Sequence, residues 1–98
     1  SPVLVTGTLA SSMRQLGRYL DARGDRRPEA TLARDIGVPP FKIKDLARQS
    51  RVWTEAGVAK AIIAIAKADA EVKGASGDAE FAVERLLVAL NDYRRPAR

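Results

Sequence analysis

Residues 29–51 read Glu-Ala-Thr-Leu-Ala-Arg-Asp-Ile-Gly-Val-Pro-Pro-Phe-Lys-Ile-Lys-Asp-Leu-Ala-Arg-Gln-Ser-Arg, and their spacing decides the fold class. Ala33, Gly37, Ile43 and Leu46 stand where a helix-turn-helix needs a small residue, a turn residue and two core residues. Ala33 admits the second helix closely, and Gly37 takes the left-handed conformation that other residues resist. The pattern predicts a helix over 29–36, a turn at Gly37-Val38 and a helix over 39–50. A DNA-reading hairpin presents polar side chains at the start of its second helix. Here those positions are Pro39, Pro40 and Phe41. Proline suits a first helical turn but offers no donor to a base edge. The stretch therefore reads as a structural hairpin ahead of its alternative, a helix-turn-helix DNA-binding regulator using residues 30–49.

Outward from the hairpin, every segment keeps a helical period. Val5, Leu9, Met13, Leu16 and Leu20 predict an amphipathic helix over 3–23. Gly24 to Pro28 is a break, with Gly ending one element and Pro opening the next. Thr54 is a natural N-cap for a helix over 55–73, and Glu55 suits its positive end. Val58, Ile62, Ile65, Asp69 and Val72 form the main stripe of that helix, widened by Ala59, Ile63 and Ala66. Asp69 is the odd member. A carboxylate facing other helices must be paired or hydrogen-bonded, and Lys73, one turn on, is the simplest partner. Gly74 to Gly77 ends the helix. Asp78 caps a last helix over 79–91, with Ala79, Ala82, Val83, Leu86, Leu87 and Leu90 inward, and residues 93–98 read as a frayed basic tail. No alternating β-branched run competes. The expected fold is all-α, a compact five-helix bundle in a single domain, 1–98.

Composition narrows the function. Among 98 residues there is no cysteine and no histidine. Disulfides, thiolate metal sites, cysteine nucleophiles and histidine acid–base chemistry are thereby excluded, and a reducing cytoplasmic location is expected. No apolar run approaches a membrane span, and no signal peptide is seen. Candidate carboxylate pairs, Asp45 with Asp69 or Glu80 with Glu84, lack the partners that acid–base work recruits. Gly74-Ala-Ser-Gly77 is not a phosphate loop, since no Gly-Lys-Ser/Thr follows. The expectation is a non-enzyme without cofactor or metal. The chain opens on Ser1 rather than Met and is read as a fragment of a longer protein, a C-terminal one if the resemblance described below holds.

The net charge of +5 is polarised: residues 1–51 hold ten Lys/Arg and five Asp/Glu, residues 52–92 four and seven, and Arg94, Arg95 and Arg98 add three more cations. Arg14, Arg18, Arg34, Lys42, Lys44, Arg48 and Arg51 form the candidate basic contact face. As a solvated surface they need no partner; as a contact they would suit acidic protein or DNA.

Three stretches carry a family resemblance. The first is Arg14-Gln15-Leu16 through Leu20. The second, Ile36-Gly37-Val38-Pro39-Pro40-Phe41-Lys42-Ile43-Lys44-Asp45-Leu46 with Ala47-Arg48-Gln49, looks like a Leu-Gly-Ile-Pro-Pro-aromatic-x-x-Lys-x-Leu-x-x-Gln hairpin. The third is Ala68-Asp69-Ala70-Glu71-Val72-Lys73-Gly74 with the closing Glu84-Arg85-Leu86-Leu87. Together, over roughly residues 9–91, they resemble the C-terminal collar domain of the delta subunit of the bacterial DNA polymerase III clamp loader. Trp53-Thr54-Glu55-Ala56 stands where relatives more often open the fourth helix with a Ser-Thr-Glu-like cap. The resemblance implies an assembly role: joining other loader subunits through their collar domains, with DNA contacted only indirectly or weakly and no membrane or metal. The two AAA+-like domains that precede the collar in that family, and with them its clamp-opening elements, lie outside these residues.

If the domain assembles in a ring, apolar residues lying off the core stripes mark the contact. Ile63 lies off the Val58–Ile62–Ile65 stripe, and Phe81 and Val88 lie off the Leu86–Leu90 stripe. These three, with Trp53, are the candidate subunit interface. Trp53 also reads as a plug between the third and fourth helices. Gly37, Pro39, Pro40, Asp69 and Lys73 are assigned structural roles.

Overall fold

The computed structural model describes residues 1–74 and 77–94, and among them there are five α-helices and no strand. Helix α1 spans Pro2–Ala22, α2 Glu29–Ile36, α3 Lys42–Gln49, α4 Glu55–Lys73 and α5 Ala79–Tyr93. Helices α1 and α5 both pack along α4, and the α2–α3 hairpin packs on α1. The fold is the all-α bundle that the periodicity implied. It is elongated, 47 × 30 × 17 Å, with a radius of gyration of 14.7 Å. A rounder domain of this length would measure about 12.6 Å.

Pro2 opens α1, where its missing N–H costs nothing. Met13, Leu16 and Leu20 are buried as their period requires. Val5, expected inside, is exposed, Leu9 is only partly covered, and the fully buried residue of the first turns is Thr6. The seam with α4 accounts for the shift: Thr6 hydrogen-bonds Asp69 of that helix, and Gly17, further along α1, faces Val58.

A similar correction applies to α4. Its buried residues are Gly57, Val58, Ala61, Ile65 and Ala68, whereas Ile62, Ile63, Ala59 and Ala66 are exposed. This helix is flanked by both α1 and α5. Its inward arc is therefore lined by the small residues that permit close approach on two sides, and the isoleucines at 62 and 63 are displaced outward. In α5, Ala82, Leu86 and Leu90 are buried, while Leu87 is exposed.

The caps follow their chemistry. Thr54 Oγ1 accepts the Gly57 N–H at 3.0 Å, and Asp78 Oδ1 accepts from the N–H groups of Glu80 and Phe81 at 3.0 and 3.2 Å. Gly37 takes φ +90° and sends its N–H to the Ala33 carbonyl at 2.8 Å, ending α2 as expected. The first break differs from expectation. The chain continues past Gly24 in a 3₁₀ turn, Arg23–Asp25, and the left-handed residue is Arg26, φ 52°. Helix α3 also starts later than Pro39. Pro39 to Phe41 form a turn, with the Lys42 and Ile43 N–H groups donating to the Pro39 and Pro40 carbonyls. The presumed tail begins later as well: Tyr93 belongs to α5 and packs against the core. The expected cations Arg95 and Arg98, and Ala75-Ser76 of the helix break, lie outside the described residues.

Candidate subunit interface

Helices α4 and α5 run antiparallel, side by side. Gly57 at the start of α4 lies against the end of α5, where an added Cβ would stand 2.7 Å from the Tyr93 carbonyl oxygen. At the other end Ala70 and Phe81 line one groove, and between them Lys67, Arg85, Ala64 and Ala89 line another, of about 220 Å³. The inward arcs of both helices join the core. Their outward arcs carry the off-stripe residues: Ile63 is 71% exposed, Phe81 56% and Val88 65%. All three therefore lie on the surface of the same helix pair. Arg85 braces this face, ion-paired to Glu71 across the helix pair and with its guanidinium 5.4 Å from the Phe81 ring centre. No helical spacing rule points to that bridge, because it joins residues 14 apart.

Trp53 does not share the exposed face. At 6% exposed it belongs to the core, beside Gly57, and so it plugs the joint and presents little surface to a partner. The basic positions are distributed over α1, α2, α3 and the turn that follows it. Arg14, Arg18, Arg34, Lys44, Arg48 and Arg51 are exposed and Lys42 is half-buried. Three of them have intramolecular work. Arg18 donates to the Ile36 carbonyl at 3.3 Å, satisfying an end group of α2, and Lys42 and Arg48 both pair with Asp45. Burial raises the Asp45 pKa, but the hydrogen bond from Gln49 and the Arg48 and Lys42 charges outweigh it, so the carboxyl ends up below its ordinary value. At the hairpin, Phe41 is 78% exposed beyond the Pro39-Pro40 turn.

Asp69 is satisfied on both oxygens. Lys73 Nζ lies 2.8 Å from Oδ2, the pairing expected from the sequence, and the Thr6 hydroxyl donates to Oδ1 at 2.8 Å, a contact between α1 and α4 that the sequence reading missed. The hydrogen bond from Lys73, then that from Thr6, holds the carboxyl below its ordinary pKa. Among the described residues no group of His, Cys, Asp and Glu could hold a metal ion, and no helix is long and apolar enough to cross a membrane.

Fold and surface together define an all-helical domain with a helix-turn-helix-like hairpin packed on α1 and with large apolar side chains exposed on the α4–α5 pair. The family model for the DNA polymerase III delta subunit, C-terminal domain, matches residues 1–90, and the chain belongs to that family. Membership ties it to the clamp loader of DNA replication. No curated protein and no solved structure gives a significant match.

Proposed function

We propose that this domain is a non-catalytic assembly module of the clamp loader, a single collar domain at the C-terminal end of a longer cytoplasmic subunit. It joins the delta subunit to the other loader subunits in the collar ring, so that the sliding clamp can be loaded on DNA. The observation that carries this reading is the exposed apolar face of α4 and α5, with Ile63, Phe81 and Val88 turned away from the chain's own core. Isolated apolar side chains on a surface are ordinary; a group of them on one helix pair supplies the apolar contacts that a partner's face can cover. A block in a ring needs side faces of this kind and no reactive groups. The hairpin serves as a structural brace on α1, because its base-reading positions are a proline turn.

Gel filtration and pull-down with collar fragments of the ATP-binding loader subunits test the proposal. Co-elution is expected. Failure to associate at micromolar concentrations would sink it.

A further inference from the structure

A second exposed surface lies on the hairpin rather than on α4 and α5. Phe41 follows the Pro39-Pro40 turn with helical backbone angles, φ −63° and ψ −20°, so the pitch of α3 already holds at that residue. At about 100° per residue, Phe41, Lys44, Arg48 and Arg51 then fall within an arc of about 80°. All four are exposed, and Phe41, at 78%, is the most exposed large apolar side chain among the described residues. It takes no part in the core. Two prolines ahead of it fix the turn, so the ring is presented with little entropy left to lose. Lys44 and Arg51 have no ion-pair partner among the described residues, and Arg48 shares Asp45 with Lys42. The stripe is an aromatic ring followed by three cations, two of them uncompensated.

We infer that this stripe binds single-stranded DNA, with one base stacked on the Phe41 ring and the neighbouring phosphates held by Lys44, Arg48 and Arg51. An aromatic platform beside a track of cations is how single strands are held without sequence readout. The prolines that bar the hairpin from reading duplex base edges are no obstacle here, because a stacked base needs a flat face and not a donor. An acidic peptide would match the charges, but its apolar anchors need a pocket, and a ring with most of its surface in water is a platform. DNA rather than RNA is the polymer because the chain belongs to a DNA polymerase III family. The stripe does not include Ile63, Phe81 or Val88, so the inference neither rests on the collar contact nor competes with it.

Fluorescence anisotropy of the chain with labelled oligothymidylate of about 15 nucleotides tests it, beside an abasic oligomer carrying the same number of phosphates. Saturable binding with a Kd of about 10–100 μM in about 50 mM salt is expected, as befits a contact with few phosphates. The logarithm of affinity should fall against the logarithm of salt with a slope of about −2, the value for three neutralised phosphates on a single strand. Phe41→Ala should weaken oligothymidylate binding by about fivefold or more and leave the abasic oligomer unchanged, while Phe41→Trp keeps the preference for bases. Lys44→Gln with Arg51→Gln should weaken both oligomers alike and flatten the slope to about −0.7. Helicity by circular dichroism should stay that of the parent throughout, since every substituted side chain is exposed. Failure to saturate at about 100 μM overturns the inference, as does equal binding of the two oligomers or a Phe41→Ala variant that keeps the preference. So does displacement of the strand by an oligoglutamate peptide at equal concentration, which would give the stripe to an acidic protein, or tighter binding of oligouridylate. Because no loader subunit is present, these outcomes are separate from the fate of the collar proposal.

Discussion

At Asp69 one carboxylate ties two helices together and closes a turn of its own. Its Oδ1 accepts a hydrogen bond from the hydroxyl of Thr6, a residue with no solvent exposure, and its Oδ2 pairs with the Lys73 ammonium. The folded state therefore favours the ionised carboxyl more than the unfolded chain does. With the folded pKa below the ordinary aspartate value of about 3.9, the contribution is complete above that value and is lost as the pH falls below it and through the lower folded pKa. Urea midpoints at pH 7 and pH 3 should differ less for Asp69→Asn and for Thr6→Val than for the wild type. An unaltered pH dependence in both would show the pair to be energetically idle. Lys73 was legible at the sequence level because a one-turn spacing is local. Thr6 was not, because its distance from Asp69 in the chain is 63 residues and a threonine among apolar neighbours gives no sign of its partner. Gly57 was missed for the same reason: the approach of the Tyr93 carbonyl is a fact of packing. Gly57→Ala would drive a methyl group to 2.7 Å from that backbone oxygen, so α4 and α5 must part. A loss of about 1–3 kcal/mol in urea denaturation is expected, against a helix propensity that alone would favour alanine.

At the scale of elements, caps and turns are legible in the local sequence, whereas the rotation of each helix is set by its neighbours. Thr54, Asp78 and Gly37 act within a few residues of themselves, and each makes the cap or turn its chemistry implies. Replacing Thr54 by Ala removes the acceptor for the Gly57 N–H and should cost about 1 kcal/mol, read from the urea midpoint. Gly37→Ala should cost a similar amount, about 1 kcal/mol, because φ +90° is strained for any residue with a Cβ even though nothing crowds the site. What the period could not supply was the direction in which each helix faces. The apolar residues of α4 surround most of its circumference, so Ile62 and Ala61 compete for the core on equal terms in the sequence. The three-dimensional answer depends on how near α1 and α5 come, and small residues win at both seams. The turn at Pro39 to Phe41 is a related case. Proline is compatible with a first helical turn and with a β-turn alike, and here the chain uses the latter before α3 begins.

The whole molecule is a slab of helices rather than a sphere, and that shape leaves surface which a core of this size cannot cover. The exposed apolar residues of α4 and α5 follow from it: α4 is flanked by α1 and α5, but no further element among the described residues covers the outer face of the α4–α5 pair in a molecule 17 Å thick. The all-α class and the family resemblance were plain in the sequence. Of the site, Ile63, Phe81 and Val88 could be chosen because they lie off the core stripes, whereas Trp53 could not be separated from the core without coordinates. Charge substitution on the exposed face separates association from folding. Ile63→Glu, Phe81→Lys and Val88→Glu replace side chains that already meet water, so each should alter the thermal midpoint by no more than about 0.5 kcal/mol equivalent. Introduced together, they should abolish binding to the loader collar fragments while far-ultraviolet circular dichroism stays that of the parent. An apolar contact cannot bury three charges without partners, so a fold that survives and a complex that does not is the expected pair of results. Loss of helicity in the triple variant would mean that these residues hold the bundle itself together, and the collar contact would then have to be sought on α1 to α3.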